Sequence, residues 1–385
     1  MAEIKSFEIY SVDLPFKKPF KHAAHERSTS NSLFIKCITN DGTIGFGESL
    51  PRDYVTGETR ESAYQLLRNN ILPRLIGKRF DSYNQLKDIL SKSDGLALAQ
   101  CNVLPETPQT AAWCAVEMSL LDSFGKVFNE SIFPKKNVTP TNGLRYSGVL
   151  SAVRGLKLIK TLLKFKLYGI KNVKVKVEHE VDLNAIAQTR MILGKNAAIR
   201  VDANMAWKKN EAIENMKNIA EFNIHSFEQP LASDQLDESA ELIERTGLNV
   251  MADESLNNAA SLKKIIEKKA FNSVNVRISK CGGFMAALNR CQRAAEEGLT
   301  IQVGCQVGES SLLSAANLAL ILSIPEIKYA EGCFGLYLLK EDPCQPLMQF
   351  GFGGSLPAVP NGPGIGINVD ETALSRWIQE HDLIK

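Results

Sequence analysis

The sequence predicts an α/β fold, a (β/α)8 TIM-type barrel with an N-terminal α+β capping domain that the C-terminal tail completes. Three observations support this prediction. The N-terminal third begins with alternating apolar and polar residues and continues with helical patterns. From about residue 145, short apolar strands alternate with amphipathic helices, and the strand ends recur every 25 to 27 residues. Charged residues occupy the same position in most of these repeats.

Residues 1–126 are predicted to form the capping domain. Two alternating runs, "IKSFEIYSVDLPF" and "SLFIKCITNDGTIGFGE", predict strands, and Asp41-Gly42 in the second run is a hairpin turn signal. The polar segment 17–31 between the runs is predicted to be a loop. Three helical segments follow, and the last of them, "TPQTAAWCAVEMSLLDSFGK", ends near Lys126.

Residues 127–345 are predicted to form the barrel. A βα unit contains a strand of about 5 or 6 residues, a helix of about 11 or 12 and two short loops, so the observed spacing fits. Eight parallel strands with right-handed crossovers close into a barrel. A doubly wound open sheet is the alternative, but the G-x-G-x-x-G turn typical of it does not follow the first strand. The predicted strands end near Val149, Lys176, Asp202, Glu228, Asp253, Lys280, Cys305 and Glu331.

The remaining residues, 346–385, begin with a stretch rich in Gly and Pro. We expect this C-terminal segment to be irregular and to pack back on the capping domain.

The composition of the 385 residues, 44% hydrophobic and 23% charged, is typical of a globular protein with ample core. The net charge of +2 gives no reason to expect nucleic acid or a membrane as partner. No C-x-x-C pair occurs among the eight cysteines, which predicts reduced thiols in a cytoplasmic protein. Three cysteines near strand ends are expected to pack as small apolar groups rather than to act as catalytic thiols: Cys281, Cys305 and Cys333.

The charged strand ends predict a catalytic site, because the chemistry of such barrels lies at the C-terminal ends of the strands. Asp202, Glu228 and Asp253 end three consecutive strands, and carboxylates that share one space repel one another unless a cation is present. Oxygen ligands of this kind suit Mg²⁺ or Mn²⁺. Lys176 and Lys280 end strands on opposite sides of the ring, where one could remove a proton next to a substrate carboxylate and the other could return one.

Lys174 lies two residues before Lys176 on the same face of the strand. We expect its like charge to lower the pKa of the lysine base, so that a neutral amine is available near neutral pH. A single acid at a strand end is often a helix N-cap, and a single lysine there often extends to solvent. Five charged residues at the same position of the βα repeat are hard to explain as N-caps and solvent-exposed lysines alone.

Five motifs in order resemble the enolase superfamily, in particular its muconate-lactonizing-enzyme subgroup: "VKVKV", "RVDANMAW", "FEQPL", "MADES" and "ISKCGG". The resemblance covers nearly the whole chain. It implies a metal on the three acids, the two flanking lysines as acid/base pair with Lys174 beside them, and Asn204 and Glu254 as supporting polar residues. It also implies that loops 17–31 and 50–58 close over a small-molecule carboxylate substrate. Candidate substrate contacts are Lys21, His22, Arg27, Arg52, Glu331 and Cys333.

The resemblance leaves the reaction open. The symmetric lysine pair favours a racemase or epimerase of amino acid derivatives or dipeptides; a cycloisomerase or a β-eliminating enzyme of the succinylbenzoate synthase type is the alternative, and a barrel that binds a carboxylate without turnover is a third. Dipeptide epimerases of the family resemble one another in an Asp-x-Asp on strand eight, where this chain has Glu331-Gly332-Cys333. A homo-oligomer is expected, since such assemblies are common among these enzymes.

Overall fold

The computed structural model describes residues 1–22, 25–92, 98, 110–135, 143–151 and 153–385, without the side chains of residues 20–22 and 25–26. An antiparallel sheet forms the capping domain, and its strands lie in the order β17, β1, β4 and β5, with β6 also paired to β1. Their bounds are β1 Ala2–Val12, β4 Ser32–Thr39, β5 Ile44–Ser49, β6 Arg79–Phe80 and β17 Ile378–Ile384. The hairpin predicted at Asp41-Gly42 is confirmed by the antiparallel pairing of β4 with β5.

The segment predicted as a loop, 17–31, is largely a second hairpin, so that prediction was wrong. Strand β2, Pro15–His22, pairs antiparallel with β3, His25–Thr29. Residues 17–19 are exposed, so the hairpin lacks the alternation of buried and exposed residues by which strands are identified in a sequence.

Helices of the capping domain follow the predicted segments, and α4 lies buried against β5. This close approach requires glycine, because a Cβ on Gly47 would lie 2.0 Å from the carbonyl oxygen of Ala115. The helices are α1 Asp53–Thr56, α2 Arg60–Leu66, α3 Tyr83–Ser91 and α4 Thr110–Val127; a π-helical turn, Leu67–Ile71, and a 3₁₀ turn, Leu72–Arg74, extend α2.

Eight parallel strands form the predicted barrel, and they are hydrogen-bonded in consecutive order. The first and last strands approach each other at a bridge between Tyr146 and Ala330. The strands are β7 Gly148–Leu150, β8 Asn172–Lys176, β9 Ala198–Asp202, β10 Ile224–Glu228, β11 Val250–Ala252, β12 Ser273–Val276, β13 Thr300–Val303 and β14 Ile327–Ala330. The helices between and after them are α5 Gly155–Leu167, α6 Leu183–Leu193, α7 Lys209–Ala220, α8 Leu236–Thr246, α9 Ala259–Lys268, α10 Ile278–Cys281, α11 Phe284–Glu296 and α12 Ser311–Ser323.

Four barrel strands, β11 to β14, end one to four residues earlier than predicted. Strand β12 ends at Val276, and Lys280 lies in the single helical turn α10 rather than at the strand end. Asp253 follows directly after β11. The predicted spacing of the strands placed Lys280 and Asp253 in the correct βα repeats. It did not predict the helical turn α10.

The C-terminal tail contains more regular structure than predicted. It includes β16 Asn368–Val369, which pairs with β15 Cys344–Gln345 just before the tail, the helix α13 Glu371–Ser375, and β17. Strand β17 pairs antiparallel with β1, so the end of the chain adds a strand to the capping sheet. Among the described residues, no helix is both long and apolar enough to cross a membrane.

Candidate active site

The barrel strands bring the predicted catalytic residues to one end of the barrel. In the strand register, Lys176 lies opposite Asp202, and Asp202 lies opposite Glu228. The parallel strands therefore place these three side chains in one row at their C-terminal ends, with Asp253 following on the next strand.

Lys174 is buried and paired with three carboxylates. Its Nζ lies 3.1 Å from Oε1 of Glu228, 3.3 Å from Oδ2 of Asp202 and 2.9 Å from Oε2 of Glu331. Burial opposes the charged form, but these three acids together raise the pKa of Lys174 well above its ordinary value. The residue after strand eight therefore supplies a counter-charge to Lys174 that the sequence analysis did not identify.

Lys176 has fewer partners and is less buried. Its Nζ donates a hydrogen bond to Oδ1 of Asn204 at 2.9 Å and lies 3.5 Å from Oδ2 of Asp202. The Asn204 backbone N–H donates to Oδ1 of Asp202 at 3.0 Å, and its Nδ2 donates to Oε1 of Glu254 at 3.2 Å. Asn204 therefore joins Lys176, Asp202 and Glu254 in a single network.

Lys280 is fully buried. Its Nζ donates to the carbonyl oxygen of Asp253 at 2.6 Å, to Oδ1 of Asp253 at 2.7 Å and to the carbonyl oxygen of Asn275 at 2.9 Å. The two lysines of the predicted acid/base pair thus differ, because Lys280 is fixed by three acceptors whereas Lys176 is only partly buried.

Arg277 is a site residue that the sequence reasoning missed. Its guanidinium forms an ion pair with Asp253, lies 3.7 Å from Oε1 of Glu228, and donates to Oε1 of Gln306 at 3.1 Å. Although burial opposes its charge, Asp253 and Glu228 raise the pKa of Arg277 above its already high value. Its position at the end of strand six, three residues before Lys280, was the available signal.

Glu331 on strand eight has a cation on each carboxylate oxygen. Arg200 Nη2 lies 3.0 Å from Oε1, and Lys174 Nζ lies 2.9 Å from Oε2. Arg200 was also missed. It is fully buried, donates to Oγ of Ser147 at 2.7 Å, and lies over the ring of Tyr329.

The three predicted metal ligands do not converge on one point in this arrangement. No group of three His, Cys, Asp or Glu side chains in the described part of the chain is placed to hold an ion. Each acid instead faces a lysine or an arginine: Asp202 faces Lys174 and Lys176, Glu228 faces Lys174, and Asp253 faces Arg277 and Lys280.

The chemistry of these donors nevertheless suits a divalent cation. Oδ2 of Asp202 and Oε2 of Glu254 are buried and receive no hydrogen bond. Burial raises the pKa of Glu254 to about 8, and the charges of Asp253 and Asp202 act in the same direction. Buried carboxylate oxygens that crowd together without enough donors are the set that Mg²⁺ binds.

The predicted substrate contacts are placed differently. Arg52 is buried, and its guanidinium donates to the carbonyl oxygens of Pro51, Ser30 and Val307, so in this arrangement it joins loops instead of facing substrate. Cys333 is buried with its Sγ 3.1 Å from the Tyr146 hydroxyl, which agrees with packing.

Three other predicted contacts lie in the 17–31 segment: Lys21, His22 and Arg27. Arg27 is half-buried, and its guanidinium lies 5.8 Å from the ring centroid of Tyr54. The side chains of Lys21 and His22 lie outside the described residues.

Two protein families match the two parts of this chain. The family of enolase C-terminal domain-like proteins matches residues 158–373, and the N-terminal domain family of mandelate racemase and muconate lactonizing enzyme matches residues 5–134. The chain belongs to the enolase superfamily. The capping domain and the (β/α)8 barrel are the two domains of this superfamily member, as the sequence motifs predicted.

Among its relatives, the N-succinyl-L-Arg/Lys racemase of Bacillus cereus is 27% identical over 386 residues, which cover 100% of both chains. The L-Ala-D/L-Glu epimerase of Clostridium acetobutylicum is 27% identical over 82% of this chain and 86% of its own. A crystal structure of the Bacillus cereus racemase matches this superfamily member with a TM-score of 0.87 at 26% identity, over 100% of each chain. Muconate cycloisomerases are also similar. These findings confirm the predicted family, fold and isomerase class.

Proposed function

We propose that this protein is a Mg²⁺-dependent racemase of N-acyl amino acids that removes and returns the proton next to the substrate carboxylate. The observation that carries the proposal is the lysine pair, with Lys176 at the end of strand two and Lys280 in the helical turn that follows strand six of the eight-stranded ring. Strands four positions apart lie on opposite sides of a barrel, so the two amines approach a substrate from opposite faces. A two-base inversion at the α-carbon needs one proton-transferring group on each face, which this arrangement supplies.

Asp202, Glu228 and Asp253 would hold the Mg²⁺, with Asn204 and Glu254 supporting them, and the ion would supply positive charge to the substrate carboxylate. The protein's own residues do the rest. One lysine, as a neutral amine, takes the α-proton, and the other, as an ammonium group, delivers a proton to the opposite face. Lys174 and Arg277 contribute fixed positive charge next to the substrate carboxylate as negative charge builds on it.

Glu331 supports an N-acyl substrate over a dipeptide. A dipeptide carries a free ammonium group and needs an uncompensated carboxylate to bind it. Both oxygens of Glu331 already face buried cations, Lys174 and Arg200, and position 333 of the strand carries a cysteine in place of a second acid. The racemase relative is named for N-succinyl amino acids, which carry no free α-ammonium group.

Deuterium exchange tests this proposal. The protein with Mg²⁺ in deuterated buffer is expected to incorporate deuterium at the α-carbon of N-succinyl-L-arginine or another N-acyl amino acid, and to form its enantiomer. L-Ala-L-Glu serves as the dipeptide comparison. No α-deuterium in any N-acyl substrate would overturn the proposal, and exchange confined to the dipeptide would overturn the substrate class.

A muconate-type cycloisomerase is the second candidate. The observation that favours it is the inequality of the lysines, because Lys280 is fixed by three acceptors and Lys176 is not. A one-base reaction needs only one mobile amine, and the other can act through its charge. Turnover of cis,cis-muconate without exchange into any N-acyl amino acid would favour this alternative.

A further inference from the structure

The segment of the chain that contains α5 has an unusual charge. Residues 131–177 contain eleven Lys and Arg and no Asp or Glu, whereas the rest of the chain contains 34 basic and 43 acidic residues. The overall net charge of +2 conceals this asymmetry. Only Lys174 and Lys176 of the eleven belong to the candidate active site, so the other nine basic residues have no role in the proposed reaction.

Large apolar side chains are exposed in the same segment. In α5, Leu156, Leu163 and Leu167 follow one another at intervals of seven and four residues, which places them on one side of the helix. Leu156 and Leu167 are 75% and 80% exposed. The opposite side of α5 is buried through Leu158 and Leu162, so the exposed leucines form a second apolar stripe that faces away from the barrel.

Neighbouring elements extend this stripe. Helix α6 packs beside α5 and exposes Leu183 and Met191, which are eight residues apart and thus on one side of that helix. Phe352, 66% exposed, is in ring contact with Tyr168 at the C-terminal end of α5. We call these six side chains the α5–α6 face: Leu156, Leu163, Leu167, Leu183, Met191 and Phe352.

Exposed lysines surround the leucines of α5, and no acid lies on either helix. They are Lys157, Lys160, Lys164 and Lys166. A lysine can lay its alkyl chain along an apolar surface while its ammonium group reaches outward. The α5–α6 face is therefore apolar at its centre and cationic along α5, whereas the exposed acids Glu178 and Glu180 lie before α6 and Asp182 pairs with Arg154.

We propose that the α5–α6 face binds an anionic lipid bilayer, with the leucines in the acyl region and the lysines at the headgroups. Helices that lie in a membrane interface combine an apolar stripe with flanking basic residues in this way. At 13 residues, α5 is far too short to span a bilayer, so the contact is peripheral. A bilayer also needs no concave site, which suits the outward-facing sides of two packed helices.

A second copy of the chain fits this face less well. Two such faces packed symmetrically would bring the α5 lysines of both copies together, and like charges oppose that contact. A different face of the second copy would have to supply apolar contacts. Among the described residues, the large exposed hydrophobic side chains outside the α5–α6 face are Met1, Leu383 and Tyr337, whose ring contacts Tyr168 at the end of α5. Interface cores are also poor in lysine.

Vesicle sedimentation of the full-length protein tests the proposal. The protein is expected to sediment with vesicles that contain phosphatidylglycerol, to bind vesicles of pure phosphatidylcholine far less, and to be released by high salt. The triple variant Leu156→Ser, Leu163→Ser, Leu167→Ser is expected to lose binding by about tenfold or more, since buried leucine side chains stabilise the bound state. The quadruple Lys→Gln variant at positions 157, 160, 164 and 166 is expected to lose at least as much.

Control variants carry the same changes elsewhere. Leu383→Ser, and Lys263→Gln with Lys264→Gln on the exposed side of α9, are expected to bind as the unmodified protein does. Circular dichroism checks that each variant is folded. Absence of binding to anionic vesicles, equal binding to neutral vesicles, or binding retained by both α5 variants would overturn the proposal. A protein dimer that the leucine variant dissociates, without vesicle binding, would assign the face to a second copy instead.

Discussion

Arg200 and Glu331 form a buried ion pair at 3.0 Å between strands three and eight of the barrel. The arginine side chain is fully buried, and the carboxylate also faces Lys174, so two cations share one acid inside the barrel. This relationship links Arg200, in the barrel interior, to Lys174, which lies beside the proposed base Lys176. It also removes Glu331 from the acids available to bind a substrate ammonium group.

Removal of Glu331 alone is predicted to be costly. Glu331→Gln leaves two buried cations with less compensation, and loss of one partner of a buried pair costs about 3 to 5 kcal/mol. The double variant Arg200→Met, Glu331→Gln is expected to recover part of that loss, because it leaves one buried cation rather than two. Urea unfolding of the single and double variants measures the coupling. Single and double variants that lose equal stability would contradict the pairing.

Arg52 is predicted to stabilise the fold and not to bind substrate. Arg52→Met removes donors from three carbonyl groups, and hydrogen bonds from a charged group are worth about 1.5 to 3 kcal/mol each. We expect a loss of stability of at least about 2 kcal/mol by urea unfolding. Arg27→Met, at a half-buried arginine of the neighbouring hairpin, is the matched control. An unchanged stability with a raised KM for Arg52→Met would instead support the original interpretation of Arg52 as a substrate contact.

Glu48 is predicted to make stability fall as pH rises. Burial raises the pKa of this carboxyl to about 8, although the hydroxyl and N–H groups of Ser310 act in the opposite direction. The folded protein therefore retains a proton that the unfolded chain releases above its ordinary pKa of 4.5. The contribution is complete below about pH 4.5 and is lost as pH rises through about 8, with a slope of at most about 1.4 kcal/mol per pH unit.

Glu48→Gln imitates the protonated form and should remove this slope. Between pH 6 and 9 we expect the unmodified protein to lose on the order of 2 kcal/mol relative to Glu48→Gln in urea unfolding. The exposed Glu326→Gln serves as the control. Parallel pH profiles of the unmodified protein and Glu48→Gln would show that Glu48 is ionised in the folded state at neutral pH.

Mg²⁺ is predicted to stabilise the fold through the three acids. A ligand that binds only the folded state adds about 2.7 kcal/mol at a concentration 100 times its Kd. We expect the Tm to rise with MgCl₂ and to fall to its starting value with EDTA, and we expect Glu228→Gln to abolish the rise. Asp234→Asn, at an exposed acid, should retain it. A Tm that does not respond to Mg²⁺ would contradict the metal assignment.

The period of the strands was sufficient to predict the barrel and the row of acids and lysines. Every barrel strand repeats the same unit, so a residue at the end of one strand indicates where its counterpart lies on the next. Asp202, Glu228 and Lys176 were found in this way, and the structure places them in adjacent register. Strand β17 could not be predicted, because its exposed polar residues show no alternation and its partner β1 is more than 360 residues away in sequence.

The charged partners of the site residues could not be predicted from the spacing of the barrel strands. Arg200 lies in the middle of a strand and Arg277 directly after one. From the sequence alone, neither can be distinguished from an arginine whose side chain extends to solvent. The pairing of Lys174 with Glu331 joins strands two and eight, which are 157 residues apart, and no local pattern encodes it. Such contacts depend on which side chains the closed barrel brings together.

Enantiomer-specific exchange in the two lysine variants tests the central claim most directly. We predict that Lys176→Ala and Lys280→Ala each slow racemisation of the N-acyl substrate by about 10²-fold or more. Each variant should still exchange the α-proton of the one enantiomer that its remaining lysine faces, with the opposite preference in the other variant. If both variants retained exchange of the same enantiomer, or if Lys280→Ala racemised the substrate at the normal rate, the two-lysine account would be contradicted.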